Sequence, residues 1–144
     1  MSSASFASTV DLALQPSYRG LRAVFLLHLI PLLLLPLALR GWPLVLVAGA
    51  FGLSWLWLRR HPALGLGPTA ITRLVWPAEG PWTLYRRGRA PVTATLHDSS
   101  YLHPRLLVLN FSLDGGGRQT RVLLGDEAPE DLLRRLRARL AAGA

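Results

Sequence analysis

LRAVFLLHLIPLLLLPLAL (Leu21–Leu39) and PLVLVAGAFGLSWLWL (Pro43–Leu58) are two apolar runs separated only by Arg40, Gly41 and Trp42. Their adjacency decides the reading of the fold. At ~1.5 Å per helical residue the first covers about 28 Å and the second about 24 Å, close to the hydrocarbon thickness of a bilayer. The pattern predicts a transmembrane helical hairpin over 21–60, with spans at 21–39 and 43–58. Pro31 and Pro36 are tolerable within a membrane helix, where they kink it and free carbonyls. The length of the first run and Asp11 before it argue for a span over a cleaved signal peptide.

The ends of the spans carry interface residues. Trp42 marks one boundary; Trp55, Trp57, Arg59 and Arg60 mark the other. Arg19 and Arg22 stand at the start of the first span, whereas the turn holds only Arg40. The positive-inside rule then places both termini in the cytoplasm, and so a multi-pass protein in a bacterial inner membrane. Ala48 and Gly52 form a small-xxx-small pair suited to close helix packing. His28 is the ionisable side chain buried within a span. Such a group is a candidate functional site, and its plainer role is a neutral imidazole bonded to a freed carbonyl or to the facing helix.

Outward from the hairpin the chain becomes ordinary globular sequence. Residues 1–20 read as an N-terminal cytoplasmic segment, 61–68 as a Gly/Pro-rich linker, and 69–144 as a soluble domain. Alternating stretches at 70–76, 82–87, 92–96, 107–113 and 119–124 predict an antiparallel meander of about five strands. Asp114-Gly115-Gly116-Gly117 is a hairpin signal. Whether the sheet closes into a barrel stays open. A C-terminal amphipathic helix follows, with Leu132, Leu133, Leu136 and Leu140 on one stripe and Arg134, Arg135, Arg137 and Arg139 flanking it. Asp126, Glu127, Glu130 and Asp131 crowd its start, where acids complement the helix dipole. This helix either covers the sheet or rests on anionic lipid. The fold class is thus two membrane helices joined to a small α+β domain.

The chain has 144 residues with a net charge of +8, and every cationic residue is arginine. The absence of cysteine excludes disulfides, thiolate metal sites and thiol nucleophiles. The basic balance favours membrane lipid as a contact; the arginines are too dispersed for a nucleic-acid tract. No catalytic, metal or cofactor motif stands out. His97-Asp98-Ser99-Ser100 invites a triad reading, but adjacency in sequence is not triad geometry. His97 and His103 match no standard metal spacing. The residues describe a binding module on a membrane anchor, not an enzyme.

One resemblance covers almost the full length. Asp11-Leu12, Pro16-Ser17, a first span with internal His28, a second ending at Arg59-Arg60, Glu79-Gly80-x-Trp82-x-Leu84, His103-Pro104, and Asp126 followed by Leu133-Arg134-Arg135-Leu136-Arg137 occur in order. This layout resembles the YgfX family (toxin CptA) of small inner-membrane proteins. The resemblance implies pairing with a flavinylation factor of the SdhE/CptB kind in a type IV toxin–antitoxin system, and action on the cytoskeletal polymers FtsZ and MreB. Glu79 stands where the family pattern has an aspartate. The sequence also supports a second expectation, an accessory subunit or assembly factor of a respiratory membrane complex. In the first case Arg134, Arg135, Arg137 and Arg139 meet an acidic partner.

Overall fold

A computed structural model describes residues 9–142; residues 1–8 of the N-terminal segment and 143–144 of the soluble domain lie outside it. It comprises three α-helices and one curled antiparallel sheet. The elements run β1 (Val10–Ala13), α1 (Tyr18–Ala38), α2 (Trp42–Leu58), β2 (Ile71–Trp76), β3 (Trp82–Arg86), β4 (Val92–Leu96), β5 (Tyr101–His103), β6 (Leu106–Leu113), β7 (Arg118–Leu123) and α3 (Glu130–Ala142). A 3-10 turn, Pro62–Leu64, links α2 to the sheet.

α1 is the one helix among the described residues long and apolar enough to cross a membrane, by length and composition. α2 is more apolar than α1 but has 17 residues. It packs back against α1 through Phe25–Trp55 and His28–Phe51 edge contacts, with ring centroids 5.3 and 5.9 Å apart. The Ala48–Gly52 pair does not make this contact. A Cβ added to Gly52 would meet nothing within 4 Å, so aromatic side chains, not small residues, set the helix spacing.

The sheet differs from the expected five-strand meander in two places. First, the N-terminal segment does not stand apart: Val10 to Ala13 pair with Trp76 to Arg73. Val10, Leu12 and Leu14 are buried, so the period-2 alternation of a strand begins before the apolar helices. Asp11 binds Arg73 across this pair through both carboxylate oxygens, with Nε–Oδ1 at 2.7 Å. Second, β4 and β5 lie end to end along β6. Leu96 faces Phe111 and Tyr101 faces Val108. Five steps on one strand match three on the other, so 97–100 is a bulge with two extra residues.

In space the order is therefore β1-β2-β3-β4/β5-β6-β7. The Gly-rich hairpin joins β6 to β7 as the sequence predicts, with Gly116 and Gly117 at positive φ. β7 does not pair with β1, so the sheet curls without closing. α3 covers the concave face: Leu133, Leu136 and Leu140 join Leu12, Leu74, Leu84, Leu109, Phe111 and Leu123 in one core. Each fully buried leucine of this kind contributes about 1.5–3 kcal/mol relative to exposure.

Candidate functional site

The gap between β7 and the first strands is filled by side chains. Arg121 shares the inward face of β7 with Leu123 and is fully buried. Its Nη2 donates to the Gln15 carbonyl at 2.6 Å, and Nη1 reaches the Ala63 carbonyl at 3.5 Å. Gln119 Nε2 donates to the Thr69 carbonyl at 2.5 Å. Burial pushes the Arg121 guanidinium down from its ordinary value, while Glu127 and Asp126 oppose that; a guanidinium stays charged in proteins. Glu127 is also fully buried. Its carboxylate accepts the Leu124, Gly125 and Asp126 amides at 2.7, 2.9 and 3.1 Å.

Asp126 has a different role from the one its position before α3 suggests. It caps α1. Ser17 Oγ donates to Oδ1 at 2.8 Å and the Arg19 amide to Oδ2 at 2.7 Å, while Ser17 Oγ accepts the Gly20 amide at 3.0 Å. These groups satisfy donors that the first helical turn leaves open. Gly20 is buried here; a Cβ on it would lie 2.8 Å from Leu64 and 3.1 Å from Leu124. The foot of the apolar helix is thus bolted to the sheet domain.

This clasp titrates. Burial raises the Asp126 carboxyl, but the hydrogen bonds around it, led by the Arg19 amide and the Ser17 hydroxyl, more than offset it, so its pKa is lowered. A depressed carboxylate contributes stability above its unfolded pKa and loses it as pH falls through the folded one. Asp11 moves the same way beside Arg73. The expected outcome is that Asp126→Asn flattens the loss of stability below about pH 4, read as the shift of the thermal midpoint between pH 6 and pH 3. A mutant curve parallel to wild type would remove Asp126 from the acid response.

The residues singled out from sequence separate into groups. His28 Nδ1 lies 2.8 Å from the Val24 carbonyl and Nε2 3.0 Å from Ser54 Oγ on α2. A carbonyl only accepts, so Nδ1 carries a proton and donates to it. The carbonyl is one turn below His28 and is not the one freed by Pro31. His28 also lines an open groove of about 360 Å³ with Leu46, Val47, Ala50, Phe51 and Ser54. Trp42 and Trp57 project outward from the two ends of α2. Trp55 instead turns inward against Phe25, because its place on the helix faces α1. Arg59 and Arg60 follow α2 and are exposed.

On α3, Arg134 and Arg135 are exposed and Arg137 is half-buried. Arg139 does not belong to a free basic face. Its guanidinium lies 4.0 Å from the Trp76 ring centroid and donates to the Trp76 carbonyl at 2.9 Å, the Ala78 carbonyl at 3.0 Å and the Pro77 carbonyl. It fastens α3 to the end of β2, beside the stacked Trp76–Trp82 pair at 4.4 Å.

The His97–Ser100 segment closes the bulge. The Ser99 amide donates to His97 Nδ1 at 3.1 Å, with Ser99 Oγ 2.9 Å from the same atom, and Asn110 Nδ2 donates to the Ser99 carbonyl at 2.9 Å. Among the described residues no carboxylate bonds His97; its Nε2 lies 3.3 Å from Arg118. Among the described residues no group of three His, Cys, Asp or Glu side chains is placed to hold a metal ion. Comparison with protein-family models, with curated proteins and with solved structures gives no match for this chain.

Proposed function

We propose that this chain is a membrane-anchored protein-interaction module. In this reading both apolar helices traverse the inner membrane, both termini are cytoplasmic, and the sheet domain holds a soluble partner at the bilayer by contact. The observation that carries the reading is the β1–β2 ladder. These strands flank α1 and α2 in sequence yet pair residue for residue. If α1 crosses a membrane alone, β1 and β2 fall on opposite sides and the ladder cannot form. A crossing by α1 therefore requires a return by α2, whose 17 residues span about 25 Å. Such a shortfall costs fractions of a kcal/mol per Å and is eased by arginines reaching to the interface, as Arg59 and Arg60 can.

The resemblance to the YgfX family supplies the partner class: a small flavinylation factor of the SdhE/CptB kind, with FtsZ and MreB polymerisation as the process affected. Arg134 and Arg135 present the exposed cationic surface of α3 to it. Charge reversal at both positions (Arg134→Glu with Arg135→Glu) is expected to reduce capture of that factor from membranes at least tenfold. Carbonate-resistant membrane retention should not change. Undiminished capture would count against this surface.

The His28–Ser54 groove favours a second reading. It opens on the flank of the helix pair, where a further membrane helix could seat, as in an accessory subunit of a respiratory complex. Recovery of a stoichiometric integral-membrane partner after gentle detergent extraction would support that reading over the first.

A further inference from the structure

Three arginines from distant parts of the chain line one recess. Arg19 comes from the first turn of α1, Arg105 from the β5–β6 turn and Arg137 from α3; the rest of its wall includes Leu124, Leu133 and Glu130. The recess measures about 490 Å³. Its one carboxylate leaves a formal surplus of two positive charges. Among the described residues no carboxylate bonds the guanidinium of Arg105 or Arg137, and Arg137 Nε is buried with no hydrogen-bond partner. Arg19 Nη1 reaches the Leu124 carbonyl at 3.5 Å. Its backbone is fixed by Asp126, so this guanidinium is held at the recess by the clasp itself. Like charges gathered around one concavity, with donors unspent, fit a multidentate anion.

The depth of the recess selects which anion. Arg19 is two residues from Leu21, about 3 Å along the helix, where the apolar run begins. If α1 spans the bilayer, this is headgroup level, where lipid phosphates are abundant and basic pockets capture them. A second groove of about 310 Å³ shares Arg137 with the recess and continues along Leu102, Leu107 and Leu140. A charged pocket opening onto an apolar groove matches a ligand with a phosphate at one end and hydrocarbon at the other. We propose that Arg19, Arg105 and Arg137 bind the phosphate of an anionic phospholipid. The lipid seats the sheet domain on the membrane. This assignment rests on the membrane reading of α1.

The test uses the purified full-length chain in detergent, with phosphatidylglycerol or phosphatidylcholine added and retained lipid counted by native mass spectrometry. Wild type should retain phosphatidylglycerol in preference to phosphatidylcholine. Arg105→Gln with Arg137→Gln should weaken retention by about tenfold or more. Arg87→Gln with Arg89→Gln, an equal charge change in the exposed β3–β4 turn, should stay within about twofold. The Trp76–Trp82 exciton signal in circular dichroism reports whether each variant is folded. If the recess pair is not, Arg105→Gln alone, on an exposed residue, should lower retention about fivefold.

Equal losses in both pairs, or no preference for the anionic lipid, would overturn the site. Displacement of phosphatidylglycerol by inorganic phosphate would assign the recess to free phosphate and overturn the lipid. Displacement by an acidic peptide alone would assign it to a protein. Carbonate extraction of wild-type membranes separates the two failures: an extracted chain removes the membrane reading, whereas a retained chain with indifferent lipid binding removes only the recess.

Discussion

Glu127→Ala is expected to destabilise the sheet domain by about 3–5 kcal/mol. Three backbone amides lose their acceptor at once, and Arg121 loses the larger of the two negative charges that oppose its burial, Asp126 being the other. A buried charge left short of its counter-charge is among the few causes of losses this large. Glu127→Gln separates the two contributions. Its side-chain oxygen can still accept an amide, so the backbone loss is reduced, while the charge beside Arg121 is gone; an intermediate loss of about 2–3 kcal/mol is expected. Urea titration of the full chain in detergent, followed through the Trp76–Trp82 exciton signal, gives both values. A loss below about 1 kcal/mol for the alanine variant would mean that water or relaxation already satisfies these groups.

The consequence extends beyond the domain. The 124–127 segment is the clasp on α1: Asp126 holds Ser17 and Arg19, and Glu127 shapes the turn that presents Asp126. Loosening this turn frees the foot of the apolar helix, and with it the angle between that helix and the sheet domain. If the chain is the membrane-anchored module proposed above, a fixed height and tilt would let the domain present one face, α3, to a cytoplasmic partner. On a flexible tether the same surface would lose that orientation.

The sequence carried the period-2 pattern of β6 clearly, because Leu107, Leu109 and Phe111 all point inward. The tight β6–β7 turn and the leucine stripe of α3 were equally legible. Several misreadings share a cause: a partner far away in the chain. β1 is four residues long and becomes a strand only by pairing with β2, about 60 positions later. Asp126 lies beside a helix start, yet its partners are Ser17 and Arg19. Arg139 looks like a solvated residue on a basic helix until the carbonyls ending β2 are placed beneath it. Arg121 did leave a trace. If Leu123 faces inward, period 2 puts Arg121 inward too, and a charge at a core position signals a buried network. The arginine recess left no trace, since its three members come from three separate elements.

Gly65→Ala is expected to cost about 3 kcal/mol, large for the addition of one methyl group. Gly65 ends the 3-10 turn with φ at 81°, a conformation in which a Cβ alone costs about 1–2 kcal/mol. The new Cβ would also stand 2.1 Å from Arg121 Nη1 and 2.6 Å from Nη2, closer than any real contact. The guanidinium is buried and cannot simply swing into water. It must leave the Gln15 carbonyl, a charged hydrogen bond worth roughly 1.5–3 kcal/mol. The two costs are separable in a double-mutant cycle. In an Arg121→Ala background only the backbone strain remains, so the penalty of Gly65→Ala should fall to about 1–2 kcal/mol. An unchanged penalty would show that the glycine is required by its φ alone. A reduced one establishes that Gly65 is absent of side chain because Arg121 occupies that space, and that the turn leaving α2 and the last strand of the sheet are fitted to each other through a single buried cation.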